Sequence, residues 1–338
     1  MAIRIAVAGM GARGQEWARE VKAAPAFELA ACVDVDRAAL QRAAARLALP
    51  AGQCFTNLEQ ALDTSGCEAV LVVTPADCHA TTCETALARK LAALVEKPFT
   101  LRLSDALRLV ALAEANNTPL LVAQNYRYLR SFRTVKRLID DGVLGRVGMV
   151  VCHYYRPFHS IPDSLAKFQH SVLWGMSVHH LDVLRYVLGS NVTNVNAEAF
   201  TLPWGSLPRG ASLQLMLTMA NETRVSYSAT YESTGHTLFE GGQEFYARFI
   251  GERGTLHVFQ RWLIFWENGK LPRLVRRGPR KKTEERVLLD QLERALLHGE
   301  QAGVSGRDNL QTVAVLEACV RSATEERSIN PQELFGEH

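Results

Sequence analysis

The chain lacks several features that would each have fixed its class. No apolar run is long enough to span a bilayer. The opening "MAIRIAVAGMG" has neither the apolar core nor the cleavage pattern of a secretory signal. Seven cysteines (32, 54, 67, 78, 83, 152 and 319) include no C-x-x-C pair. An odd, scattered set argues against both a disulfide framework and a zinc knuckle, and for a reducing compartment. A cytoplasmic protein without a resident metal is the expectation. The formal charge is only +3 over 338 residues, too little for general attraction to nucleic acid or to a membrane surface. The one basic cluster, "RLVRRGPRKK" at 273–282, is broken by Gly278 and Pro279 and reads as a solvated loop, with anion binding as the alternative. There is no internal repeat and no low-complexity segment.

What is present is an ordinary globular composition, 47% hydrophobic and 22% charged, at a length that suggests two domains. Over the first 125 residues, apolar runs such as "IRIAVAG", "FELAACVD", "EAVLVVTP", "LAALVEKP" and "PLLVAQNY" alternate with segments of helical spacing. Strands that read as continuous apolar runs are buried on both faces, as in a parallel sheet flanked by helices. This predicts a doubly wound α/β nucleotide-binding domain over 1–125. Beyond residue 145 the pattern changes. A helix-like stretch near 173–189 precedes the strand candidates "NVTNVNAEAF", "ASLQLMLTMA", "TRVSYSATYES", "EFYARFIGE" and "TLHVFQRWLIFW". Asn268-Gly269 is a hairpin signal, and helices are expected near 284–298 and 307–326. Residues 126–338 therefore read as an α+β domain with a largely antiparallel sheet.

"AGMGARG" sets Gly9, Gly11 and Gly14 in G-x-G-x-x-G spacing between the first strand and the first helix. Such glycines permit a tight turn and close approach of a pyrophosphate to the helix N-terminus. Asp34, twenty residues past Gly14 at the end of the second strand, is placed to accept ribose hydroxyls. Its carboxylate would repel a 2′-phosphate, which favours NAD; nearby Arg13 and Arg37 keep NADP open. In open parallel sheets the ligand crevice lies outside the carboxyl ends of the strands. "VVTPADCH" brings Thr74, Pro75 and His79 there, and "LVEKPF" brings Glu96, Lys97 and Pro98. The expected cofactor contacts are Gly9, Gly11, Ala12, Arg13, Gly14, Asp34, Thr74, Pro75, His79, Glu96, Lys97 and Asn125. Beside an oxidised nicotinamide, itself cationic, the pKa of Lys97 should fall, making it a proton acceptor near neutral pH. The alternative is a lysine that only neutralises Glu96.

The order "G-x-G-x-x-G", "TPxxxH", "EKP", "NYRY" and "HxxD", with "FIGERGTLHV" and "SGRDNLQTVAVLEACVRSA" further on, resembles the Gfo/Idh/MocA oxidoreductase family across essentially the whole chain. The resemblance implies a Rossmann domain plus an open-faced α/β domain. It also implies NAD(P)-dependent oxidation or reduction at a sugar or cyclitol carbinol, and homodimers or homotetramers built on the second sheet. It implies that Lys97 and His179 act at the substrate hydroxyl, and that the peptide before Pro98 is often cis. Two other readings stay open: a lyase or glycosidase that oxidises its substrate transiently, and a dinucleotide-sensing regulator that has lost catalysis.

"LWGMSVHHLD" (173–182) carries the departure from the family pattern. On a helix His179, Asp182 and Tyr186 share one stripe, beside an apolar stripe of Leu181, Leu184 and Leu188. His179 and His180 point to different sides, so they cannot chelate a metal together; His180 reads as a packing residue. Relatives carry an acid four residues before this histidine, where this chain has Gly175. Either Asp182 or Asp163 supports His179 in its place, or the gap admits a bulkier substrate, or catalysis is weakened. The expected substrate contacts are Lys97, Tyr126, Arg127, His153, Tyr155, Arg156 and His179, with Tyr231 a weaker one. This aromatic and hydrogen-bonding mixture suits a small carbohydrate-like molecule. Trp262, Phe265 and Trp266 crowd one strand and suggest a surface covered by a second copy, or else a core.

Overall fold

The structure, a computed structural model, describes residues 2–157, 168–208, 210–234, 244–259, 262–279 and 282–337. They form two compact units, 1–125 with 282–313, and 126–281 with 314–338. The segment 282–313 follows the second sheet in sequence yet clusters with the first unit.

In the first unit, six parallel strands lie in the order β3-β2-β1-β4-β5-β6. They are β1 (Ile3–Ala8), β2 (Phe27–Val33), β3 (Cys54–Phe55), β4 (Ala69–Val72), β5 (Ala92–Val95) and β6 (Leu120–Val122). Every residue of β4, β5 and β6 is buried, because helices cover both faces of the sheet. Those helices are α1 (Ala12–Lys22), α2 (Arg37–Leu47), α3 (Leu58–Thr64), α4 (His79–Ala88) and α5 (Leu103–Ala115). The strand order reverses between β1 and β4, which places a crevice at their carboxyl ends. The expected doubly wound fold is present.

The second unit contains α6 (Arg130–Asp140), α7 (Val178–Leu188) and an eight-stranded sheet ordered β14-β13-β12-β11-β7-β10-β9-β8. The strands are β7 (Val147–Pro157), β8 (Val192–Phe200), β9 (Ser212–Met219), β10 (Arg224–Ser233), β11 (Glu244–Gly251), β12 (Gly254–Phe259), β13 (Leu263–Glu267) and β14 (Arg273–Leu274). All neighbours are antiparallel except β7 and β10. The helices expected near 284–298 and 307–326 are α8 (Glu284–His298) and α9 (Gly306–Glu325).

Two strand expectations change. "TLHVFQRWLIFW" is not one strand: it reverses, with Val258 opposite Leu263 and the Phe259 N–H donating to the Trp262 carbonyl at 2.8 Å. Its apolar content had masked the reversal. The long strand β7, central in the sheet, carries no turn signal and no clean apolar alternation at its start, and the sequence reading passes over it.

Alternation along β7 and β10 divides the sheet into two faces. Val150, Cys152, Tyr154, Val225, Tyr227, Ala229 and Tyr231 are buried on the face that receives α7. Met149, Val151 and Met216 are exposed on the other. Phe265 is buried whereas Trp262 and Trp266 are 56% and 55% exposed, so that aromatic cluster splits between core and surface. The Asn268-Gly269 turn forms as expected, with Gly269 at φ +74° between antiparallel β13 and β14. Of the basic run, Arg273 lies over the Phe265 ring and Gly278 accepts from Arg130, while residues 280–281 lie outside the described residues.

Candidate active site

The first unit gathers its polar groups at the carboxyl edge of the parallel sheet. Gly9 sits at φ +95°, and a Cβ there would stand 2.5 Å from the Val73 carbonyl oxygen. A Cβ on Gly14 would stand 1.8 Å from the Gly9 carbonyl oxygen, so only glycine lets α1 pack against the turn. Gly11 faces open space and caps α1 with no side-chain hydrogen bond, and the first turn of α1 holds no acid. The N–H groups at this helix end are therefore left for an anion. Half-buried Asp34 accepts from the Met10 N–H at 2.7 Å and the Asp36 N–H at 2.9 Å, tying the end of β2 to the glycine turn.

Beside this turn lies a buried charge knot. Glu96, 8% exposed, accepts from Arg13 Nε at 2.6 Å, Trp17 Nε1 at 2.8 Å and the Lys97 N–H at 3.1 Å. Burial opposes its ionisation, but Arg13 and Lys97 outweigh that and hold its pKa below the usual carboxylate value. Arg13 also reaches Glu285 at 2.9 Å and Glu16 at 3.1 Å. Burial works against its charge too, and Glu96 and Glu285 prevail, raising its pKa. Arg13, expected at the cofactor and as a route to NADP, is thus committed to carboxylates of its own unit. Half-buried Lys97 lies two residues past the end of β5, and its peptide bond to Pro98 is cis. Burial lowers its pKa, Glu96 opposes and Arg13 assists.

His79 is 2% exposed and lies between two carbonyl oxygens, Pro98 at 2.7 Å from Nδ1 and Thr74 at 2.9 Å from Nε2. It joins the loops after β4 and β5, a brace more than a surface that meets ligand. Burial pushes its pKa down. Asn125 donates to Glu285 at 3.3 Å. Asn125 Oδ1 and Thr74 Oγ1 are buried with no hydrogen-bond partner. Orphaned buried polar atoms at the carboxyl edge, beside an uncapped helix and an open glycine, are what a dinucleotide would satisfy. The residues fit NAD.

In the second unit a π-helical turn, Leu173–Ser177, leads into α7 and contains Gly175. The helical stripe forms as expected. Asp182 is 0% exposed, and both its oxygens are taken by Arg127, Nε at 2.7 Å and Nη2 at 2.6 Å. Arg127, 4% exposed, also lies over the Tyr186 ring. A buried guanidinium needs such a partner, so Arg127 faces the protein interior and not a substrate. The Asp182 carboxylate, expected to orient His179, is engaged by Arg127. Asp163, the other acid considered for that part, lies outside the described residues.

His179, 5% exposed, stacks face to face on Tyr126, with centroids 4.0 Å apart and planes at 11°. His180 contacts the Tyr227 hydroxyl at 2.9 Å, which donates to Ser177 Oγ at 2.9 Å, and stacks on Phe245. It packs, as its position predicts. Tyr126, Tyr154, Tyr231 and Arg156 are electrostatic neighbours: burial raises the pKa of each tyrosine, against the Arg156 charge. Tyr231 Oη is buried without a partner. His153 and Tyr155 are not part of this group. They stack on each other at 4.5 Å, with His153 at 3.0 Å from Glu244, and strand alternation turns them away from Tyr154 and α7. Tyr154 is not among the contacts expected from sequence, and Tyr231 is only a weaker one. The alternation of β7 was the signal that would have exchanged Tyr155 for Tyr154. Among the described residues no group of three or more His, Cys, Asp or Glu could hold a metal. No described helix is long and apolar enough to cross a membrane.

The strand order, the glycine turn and the polar edge of the first unit define a dinucleotide-dependent oxidoreductase. Residues 3–124 match the Gfo/Idh/MocA oxidoreductase family, NAD-binding Rossmann fold, and residues 132–257 match that family's C-terminal domain; the chain belongs to this family. A D-apiose dehydrogenase of Paraburkholderia graminis is 25% identical, covering 92% of this chain and 84% of its own. An inositol 2-dehydrogenase of Leifsonia xyli is 29% identical over 58% of this chain and 56% of its own. Among solved structures, an Agrobacterium radiobacter oxidoreductase in complex with NAD+, L-tartaric acid and magnesium superimposes with a TM-score of 0.88. It is 22% identical, over 99% of this chain and 100% of that one. Aldose-aldose oxidoreductase from Caulobacter crescentus, complexed with glycerol, gives a TM-score of 0.84 at 20% identity, over 98% and 100%.

The Arg127–Asp182 pair yields a stability prediction. Asp182→Asn leaves a buried guanidinium uncompensated, which costs about 3–5 kcal/mol. Urea unfolding should show that loss; a change under about 1 kcal/mol would mean the pair is not buried as described.

Proposed function

We propose that this protein transfers a hydride between NAD and a secondary carbinol or ketone of a sugar, sugar acid or cyclitol, with Lys97 and His179 as proton-transfer residues. The observation that carries the reading is Lys97 itself, at the carboxyl end of β5 with its pKa lowered by burial. The names of the apiose and inositol dehydrogenases support the substrate class. Gly9, Gly11 and Gly14 with the start of α1 would hold the pyrophosphate, Asp34 the ribose, and Thr74 and Asn125 the remaining polar edge. Bound NAD supplies the hydride acceptor for oxidation, and NADH the donor for reduction.

In oxidation the neutral Lys97 amine accepts the hydroxyl proton; in reduction the ammonium returns it. Glu96, held ionised by Arg13 and Trp17, fixes the Lys97 backbone and limits how far burial can depress the amine. His179 is the second proton-transfer group. Arg156 and Tyr231 supply hydrogen-bonding and aromatic surface for a polyol. Asp182 and Arg127 act indirectly, by holding the segment that carries Tyr126. A panel of neutral sugars, sugar acids and cyclitols, including myo-inositol and D-apiose, tested for NADH formation is the direct experiment. No oxidation or reduction of any member would defeat the reading.

Three outcomes are expected. Lys97→Met should lower turnover by about two to four orders of magnitude, the usual reach of a positioned acid/base, with NADH affinity nearly unchanged. Because the folded pKa lies below the ordinary lysine value of 10.5, the acceptor form is lost as pH falls through that pKa. Oxidation should therefore decline on the acid side in wild type, and Lys97→Met should lack that limb. Next, NADH should bind more tightly than NADPH, and Asp34→Ser should relax the preference by removing the like charge; equal wild-type affinities in a fluorescence titration would refute this. Finally, exposed Met149, Val151, Met216 and Trp266 support a homodimer or homotetramer built on the second sheet. Sedimentation at low micromolar concentration should show it, and monomer alone would count against it.

A further inference from the structure

We infer that Tyr126 is the positioning residue for His179, setting its imidazole plane by ring stacking where Gly175, four residues earlier, offers no side chain. The inference rests on the reading of His179 as a proton-transfer residue and adds how that residue is oriented.

Three observations carry it. First, the two rings are nearly parallel, 11° apart at a centroid distance of 4.0 Å, which is face-to-face contact over the whole imidazole. Second, the platform is itself fixed. The backbone turn Asn125–Tyr128 that carries Tyr126 is anchored at the next residue by the bidentate Arg127–Asp182 pair, buried on both sides. The Tyr126 ring also packs on Phe132 at 6.4 Å and meets the edge of His180 at 5.9 Å. Asp182 and His179 lie on the same stripe of α7. One buried ion pair therefore locks the platform to the helix that presents the histidine. Third, the residue four before His179 is Gly175, inside the π-helical turn, so no side chain from there can steer the ring.

Physically, a stacked aromatic removes rotation about the last side-chain torsion of the histidine without consuming either ring nitrogen. A carboxylate orienter would take one nitrogen and add a charge. Stacking itself makes no demand on either nitrogen, and the face of tyrosine tolerates the imidazolium that forms when a proton is taken up. The part played by Tyr126 is the ring, not the hydroxyl.

That distinction gives the test. Tyr126→Phe keeps the ring and Tyr126→Leu removes it. Turnover of myo-inositol, or of whichever panel member is oxidised fastest, should fall about 10- to 100-fold in Tyr126→Leu, on the scale of a misplaced catalytic group. KM should stay within about threefold, and Tyr126→Phe should retain most wild-type turnover. The second readout needs no substrate. In NMR spectra the His179 ring protons should be shifted upfield by the tyrosine ring current in wild type and Tyr126→Phe, and return toward solvent-exposed values in Tyr126→Leu. If Tyr126→Leu does not fold, the wild-type shift still decides: His179 protons at unperturbed positions would exclude the stack. Tyr126→Phe as damaging as Tyr126→Leu would assign the role to the hydroxyl and overturn the proposal. Full activity in Tyr126→Leu, with His179→Ala inactive, would overturn the positioning role alone. Full activity in His179→Ala would overturn the catalytic reading of His179 and this proposal with it.

Discussion

A carboxylate removed from water must meet a cation and enough donors to replace its hydration, or it will not stay ionised. Each unit of this protein is organised around one such group. In the first it is Glu96, held by Arg13, Trp17 and the Lys97 N–H. In the second it is Asp182, held on both oxygens by Arg127. Neither pair is justified by stability alone, since apolar packing of the same volume would often serve as well. What the pairs supply is direction. The bidentate Arg127–Asp182 pair fixes both partners in angle as well as distance, and in each case a residue next to a member of the pair (Lys97 beside Glu96, Tyr126 beside Arg127) is one to which the proposed chemistry assigns a part.

Glu96 also bears on how far Lys97 can be pushed. Burial and the Arg13 charge favour the neutral amine, whereas Glu96 favours the ammonium. Because Arg13 is drawn to Glu96, Glu285 and Glu16 together, the positive charge nearest the lysine is fixed by three acids. The balance is built from several partners on different elements, α1, β5 and α8, so it persists only while those elements stay docked within the unit. A single lysine–glutamate contact would settle into a neutralised pair. The additional arginine keeps the glutamate occupied.

Much of the fold was legible because its signals are local. A G-x-G-x-x-G turn between an apolar run and a helical one carries its own context, and so does the Asn268-Gly269 turn. The doubly wound unit, the antiparallel sheet and the closing helices all follow from such patterns. The losses came where the information is not local. Arg127 reads as a substrate contact until its partner, 55 residues later, is seen to take its Nε and Nη2 donors. Arg13 is the same case, with Glu285 on a helix beyond the second sheet. In "VCHYYRP" Arg156 falls with the buried tyrosines whereas His153 and Tyr155 face away from them, because a strand without recognised ends has no phase, and a shift of one exchanges Tyr154 for Tyr155.

The histidine strip shows a different limit. Sequence spacing put His179, Asp182 and Tyr186 on one stripe correctly, and the inference that neighbours on a stripe serve one another was natural. Packing selects otherwise. A carboxylate on a fully buried helix face is drawn first to the strongest available cation, and Arg127 offers two aligned N–H groups where an imidazole offers one. Once the pair forms, Asp182 is occupied, and a ring contact on His179 makes no demand on that acid. An aromatic ring carried on the residue before Arg127 is delivered by the same contact that occupied the acid. Consuming Asp182 and supplying Tyr126 are therefore one event in the packing of α7: the contact that occupies the acid also brings an aromatic ring against the imidazole.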